Sequence, residues 1–181
     1  MDFTGRLYYD FQAPDVWRFF QVLIAAQQEG ARLGLEWKAF PAGGVPDQLD
    51  GHTRLLAAAE IVRNDAVMNH GAFVAAVLTA IHAEGMPVDS DEILPLALRL
   101  AQLDEDFVAP GVLATHGRAH LRATHDEALT LGVDAVPAVY RHGPVVAIRT
   151  TAAITDGSGL RRLEMINSML DDDGLWELRK P

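Results

Sequence analysis

Hydrophobic positions along this chain follow two periods, and the switches between them mark the elements. From Arg6 to Phe11 the pattern alternates. Leu7, Tyr9 and Phe11 fall on one side of an extended chain and Arg6, Tyr8 and Asp10 on the other, which predicts a strand. Pro14 suits the first turn of a helix, where no amide donor is needed. Val16, Phe19, Phe20, Leu23 and Ile24 then recur at helical spacing until Gly30. Leu35 to Phe40 reads as a second strand, and Pro41 to Gly51, rich in Gly and Pro, as a loop.

A long helical region follows. Phe73, Val74, Val77, Leu78 and Ile81 form one apolar stripe, closed by Gly85-Met86-Pro87. Asp89 to Leu103 carries a second stripe through Ile93, Leu96, Leu100 and Leu103, and Glu105 to Thr115 and His116 to Leu131 add further helices. The pattern then returns to strands. Ala138 to Arg141 and Val145 to Arg149 flank the turn His142-Gly143-Pro144. A last amphipathic helix runs from Ser158 to Leu170, with Leu160, Leu163, Ile166 and Leu170 on one face, and Asp171 to Gly174 ends it.

Composition narrows the chemistry. The 181 residues are 49% hydrophobic and 22% charged, enough to bury a core without staples. A net charge of −10, with Lys and Arg scattered, argues against nucleic acid as a partner. With no cysteine, disulfide exchange, a thiolate nucleophile and Cys-ligated zinc or iron–sulfur sites are excluded. No apolar run approaches the roughly 20 residues that span a bilayer. Met1 to Gly5 lacks a basic start followed by an apolar run, so no signal peptide is expected and cytoplasmic residence is the default.

The element order is strand, helix, strand, helical block, strand, strand, helix, and two short segments give it a family. Asp10-Phe11-Gln12-Ala13-Pro14-Asp15-Val16-Trp17 resembles the active-site segment of DsbA-like oxidoreductases. It is most similar to the cytoplasmic actinobacterial branch with mycothiol-dependent reductases, whose pattern is D-P-x-C-P-W-C-W. Asp10, Pro14 and Trp17 match. Ala13 stands at the attacking cysteine and Val16 at the resolving one. Gly132-Val133-Asp134-Ala135-Val136-Pro137-Ala138-Val139 resembles the family's cis-proline segment, so Val136–Pro137 is expected to be cis and to face the helix start.

The resemblance implies an α/β thioredoxin fold of DsbA type. Residues 1–50 and 133–181 would make the thioredoxin-fold domain and 51–132 an all-helical insertion. It also implies a cleft where Asp10, Gln12, Ala13, Pro14, Asp15, Trp17, Val136 and Pro137 meet a ligand. In the family, a helix N-terminus stabilises the cysteine thiolate. Here the helix start remains and the sulfur is gone, and Asp15 in the first turn suits the helix but would oppose a thiolate.

Two functional readings follow. The first is a redox-inactive protein that binds a peptide, a low-molecular-weight thiol such as mycothiol or glutathione, or a small anion through the Val136 backbone. The alternative is a cysteine-free transferase or isomerase, similar to kappa-class glutathione transferases and chromene carboxylate isomerases. Those families place a serine before the proline. Ala13 has no hydroxyl, so catalysis would have to recruit Gln12, Asp15, Tyr9 or the amides of the helix start. Asp10 is either a proton-transfer carboxylate or a turn-capping residue, and the turn role is the simpler.

Neither reading needs a resident cofactor. His116 and His120 share a helical face, with His125 and Asp126 further on, but without a His-Glu-x-x-His pattern they read as a solvated surface rather than a metal site. The apolar face of the final helix and the tail Leu175-Trp176 would serve internal packing or a homodimer contact.

Overall fold

Strand β1 (Asp2–Tyr9) is an inner strand of a four-stranded sheet ordered β2-β1-β3-β4. Its parallel neighbour β2 (Arg32–Ala39) is reached through α1 (Pro14–Gln28), while β3 (Ala138–Tyr140) pairs antiparallel with β1 and β4 (Val145–Ala147) antiparallel with β3. Helix α7 (Gly159–Leu170) follows β4. The computed structural model describes residues 1–143, 145–149 and 158–171, so Pro144, Asp172 to Gly174, Leu175 and Trp176 lie outside the described residues. Strand–helix–strand followed by strand–strand–helix is the thioredoxin fold, and its helical block lies between β2 and β3 as expected.

β1 begins at Asp2 rather than Arg6 and ends at Tyr9 rather than Phe11. Gly5 conceals the early start. It adopts φ +144°, and a Cβ there would lie 2.7 Å from the Tyr140 carbonyl oxygen, so the position between strands requires a glycine. Simple alternation also fails at the end of the strand, where Tyr8, Tyr9, Asp10 and Phe11 are all buried. Both faces of the sheet are covered. Leu7 packs with Phe19, Leu23 and Leu163 of α1 and α7, whereas Tyr8 packs with Phe40, Ala128 and Val133 on the opposite face.

The helical block comprises α2 (Gly51–Asp65), α3 (Val67–His82), α4 (Ile93–Leu100), α5 (Pro110–Val112) and α6 (Arg118–Thr130). α2 starts at a complete capping box: Asp50 accepts from the Thr53 amide, and the Thr53 side chain pairs with the Asp50 amide. α4 is shorter than the Asp89–Leu103 pattern predicts. Pro95, which has no amide to donate, fits only its first turn, and Asp89 to Glu92 form turns ahead of it. The break expected between Thr115 and His116 falls instead at Pro110. A 3₁₀ turn (Glu105–Val108) precedes it, and from Pro110 a π-helical segment (Leu113–Gly117) leads without interruption into α6.

One continuous core joins the block to the start of α1: Tyr9, Phe11 and Val16 pack with Leu56, Ile61, Phe73 and Leu78. Within it Glu60 is fully buried. Its carboxylate accepts from the Ala39 amide (2.8 Å), from Arg63 Nη2 (2.6 Å) and from the Thr124 hydroxyl (2.8 Å), tying α2 to both β2 and α6. Among the described residues no helix is long and apolar enough to cross a membrane.

Candidate functional site

Where β1 leaves the sheet, Asp10 shapes the turn into α1. Its carboxylate accepts the Gln12 amide at 2.9 Å and its carbonyl accepts the Ala13 amide at 3.1 Å, an Asx-type turn. Ala13 is the N-cap of α1 in extended conformation, and its methyl group caps nothing. Pro14 occupies the first helical position, and the amides of Val16 and Trp17 turn back to the Ala13 carbonyl. Asp15 lies in the first turn, where its charge favours the helix dipole, and accepts from Arg18 at 2.9 Å. Val16 is buried in the core, so the position of the resolving cysteine points inward.

The helical block closes over this turn through two histidines. His52, near the start of α2, places Nε2 2.6 Å from Asp10 Oδ1. As a carboxylate oxygen accepts, Nε2 is the donor in this contact. Asp10 is 5% exposed and also receives the Ala42 amide at 3.4 Å. One carboxylate therefore joins the β1–α1 turn, the β2–α2 loop and the first turn of α2. At the far end of α3, His82 Nε2 donates to the Phe11 carbonyl at 2.8 Å, and its ring stacks on Trp17 at 5.8 Å. Trp17 also stacks on Phe20 at 5.8 Å.

The proline loop reaches the same place through the sheet. β3 pairs with β1 as Tyr8–Ala138 and Leu7–Val139. Continuing that register sets Pro137 opposite Tyr9 and Val136 opposite Asp10. The Val136–Pro137 bond is cis. The Pro137 carbonyl is taken by the Ile148 amide at 2.8 Å, whereas among the described residues no backbone group pairs with the amide or carbonyl of Val136. Val136 and Ala13 are both half-buried against one apolar cluster.

The extended register thus sets Val136 and Pro137 beside Asp10 and Tyr9, and Ala13, Trp17 and Val136 pack against one apolar cluster, with Gln12 and Pro14 exposed. Tyr9 is not available there. It is fully buried, its hydroxyl has no partner, and burial, followed by the Glu60 charge, holds its pKa well above the ordinary phenol value. The histidines of the charged helix are not all solvated either: His125 stacks on Phe40 at 5.0 Å, while His142 is exposed in its turn. No group of three His, Asp or Glu side chains able to hold a metal ion is present among the described residues. Sequence reasoning missed His52 and His82. They are separated from their partners by 42 and 71 residues, and no local motif links them.

A second polar cluster lies on the sheet face covered by α6. Glu127 accepts from Lys38 (2.8 Å), Tyr8 (2.9 Å) and Arg6 (2.9 Å). Burial alone would raise the Glu127 carboxyl. The hydrogen bonds from Lys38 and Tyr8, with the charges of Lys38 and Arg6, outweigh it and hold the group below the usual range. Three donors from two strands converge on this one carboxylate, so this cluster reads as structural.

No family model matches the sequence, and no curated protein matches it. Solved structures do. A 2-hydroxychromene-2-carboxylate isomerase is similar over 93% of this chain and 95% of its own, with a TM-score of 0.68 at 16% identity. The cytosolic disulfide reductase DsbM from Pseudomonas aeruginosa, solved with GSH, is similar over 93% of this chain and all of its own, with a TM-score of 0.61 at 16% identity. The oxidoreductase NmDsbA1 from N. meningitidis follows at 0.58 and 14%, over 93% of this chain and 83% of its own. At these identities the likeness establishes the fold, a DsbA-like thioredoxin fold.

Proposed function

We propose that this DsbA-like thioredoxin fold, which carries no cysteine, is a redox-inactive binding protein for a low-molecular-weight thiol, a peptide or a small anion. The carrying observation is the start of α1. There the methyl group of Ala13 caps nothing, Pro14 has no amide to offer, and the Asp15 amide is left without a partner among the described residues, as is the backbone of Val136. A ligand that brings an anionic or thiolate head satisfies the Asp15 amide, and an extended backbone adds to Val136 as a short strand. The description of DsbM with GSH supports glutathione as the first probe, and the cytosolic setting of that enzyme supports a cytoplasmic one here. Isothermal titration of the full chain with glutathione, mycothiol and acetate tests the reading. Binding without turnover, abolished by Ala13→Phe, is expected; heat-silent titrations with all three ligands, and with a strand-forming peptide, reject it.

The Asp10–His52 pair favours a second reading, a transferase or isomerase in which His52 is the general base that takes a proton from the substrate. An orienting carboxylate behind an imidazole is a recurrent arrangement for general base catalysis. The likeness to the chromene carboxylate isomerase makes an isomerisation of an aromatic carboxylate the first assay. Activity that disappears in His52→Ala while glutathione still binds would establish this reading over the first.

A further inference from the structure

We propose a second ligand site, away from the start of α1: a cavity of about 460 Å³ inside the helical block that takes a small organic monoanion with an apolar body, such as a medium-chain carboxylate. Its walls are Leu49 from the β2–α2 loop, Leu94 of α4, Val108 and Leu113, and its charged groups are Arg54 of α2 and Arg118 at the start of α6. None of the residues gathered around Ala13 and Val136 lines it. The volume falls within the roughly 300–1,000 Å³ typical of small-molecule sites, and apolar walls with a few polar groups are their usual make-up.

The charge balance inside the cavity selects the ligand. Arg118 donates to the Asp47 carbonyl, a neutral acceptor, and no carboxylate pairs with it among the described residues. Asp47 also borders the cavity, but its carboxylate is 98% exposed and lies 3.6 Å from Arg122. Arg54 pairs through Nη2 with Asp91, whose side chain is 90% exposed, and a pair so exposed holds little energy. The Arg54 Nε is buried with no partner, a donor that the fold leaves unsatisfied. Two guanidinium groups therefore border an apolar chamber without a buried counter-charge, and guanidinium suits a carboxylate through paired N–H bonds.

The backbone is arranged for the same purpose. Leu113 opens the π-helical segment, and Arg118 follows its last residue. The i→i+5 period brings 113 and 118 to one face, which a regular α-helix would separate. Gly117 holds the segment against α2, where a Cβ would meet Ile61 Cδ1 at 3.0 Å and the Ala57 carbonyl oxygen at 3.3 Å. The short helical register thus delivers an apolar wall and a cation to the same chamber.

The test is titration of the full chain with decanoate and with 1-decanol, read by calorimetry and by thermal midpoint. Decanoate should bind at one site and raise the midpoint, and decanol should bind at least tenfold more weakly. Arg118→Met and Arg54→Met, both at half-exposed positions, should each weaken decanoate about tenfold or more and leave decanol unchanged. Leu113→Trp should block both probes, whereas Ala13→Phe should block neither. No decanoate binding, equal affinity for the two probes, or full affinity in Arg118→Met would overturn the proposal. Loss of decanoate in Ala13→Phe alone would overturn it too and move the ligand to the start of α1. Glutathione binding reports separately on that other site.

Discussion

Glu60 and Asp10 are both buried carboxylates beside the ends of the parallel strands, yet their surroundings differ. Glu60 is enclosed by groups that all donate to it: the Ala39 amide, Arg63 and Thr124. Its position is complete without any ligand. Asp10 is also well bonded, but it borders a helix start whose cap position holds a methyl group and a strand end whose backbone is unpaired. The first region has spent its polar groups on holding the helical block to the sheet. Among the described residues the second keeps the Asp15 amide and the Val136 backbone without partners, and the proposed binding rests on this difference.

The strongest way to break the comparison is at Glu60. Glu60→Ala leaves Arg63, whose side chain is only 16% exposed, without its buried partner, and should cost about 3–5 kcal/mol in urea unfolding. A loss below about 1 kcal/mol would show that the carboxylate does not organise the junction.

His70 gives the next largest effect. Burial first, and the Arg63 charge second, push it from 6.5 down to about 4, and its Nε2 has no partner. The unfolded chain then binds the extra proton between those values. The stability linked to neutral His70 is therefore complete above about pH 6.5 and falls as pH drops toward 4, by roughly 3 kcal/mol in all. Glu127 is depressed instead, so its contribution is lost only at lower pH, as its folded pKa is crossed. Denaturant midpoints at pH 7 and 4.5 check this, and His70→Leu should flatten the difference. An unchanged pH slope in that variant assigns the effect elsewhere.

Asp10→Asn comes third. It weakens the clasp on His52 and the Gln12 amide and should cost about 1–3 kcal/mol in the same assay. The smallest change is the most discriminating. Ala13→Ser supplies the missing cap of α1 and should add about 1 kcal/mol of stability. Because the new hydroxyl accepts the Asp15 amide proposed for the ligand, glutathione affinity should fall as stability rises. A gain in both would mean that the ligand does not use that amide.

Much of this was readable from sequence because it was local. The periodic helices, the Pro14 start and the segment around Pro137 each lie within a few residues of their signals. The early half of β1 was hidden by Gly5, whose lack of a side chain breaks the alternation while serving the contact with Tyr140. His52 and His82 were hidden because their partners lie far away in the chain. Glu60 carries no local mark either, because its partners Ala39 and Thr124 lie 21 and 64 residues away. The π-helical segment leaves no compositional trace beyond Gly117, whose close approach to α2 shows only in three dimensions.

Trp17 carries one more consequence. Its indole stacks on Phe20 and on His82 and packs, half-buried, against the same apolar cluster as Ala13 and Val136. A ligand seated as proposed would strip solvent from this half-buried ring and shift its emission to the blue. Under that proposal Trp17 is a built-in fluorescent gauge of occupancy, and Trp17→Phe is the blank that isolates its signal from the other tryptophans.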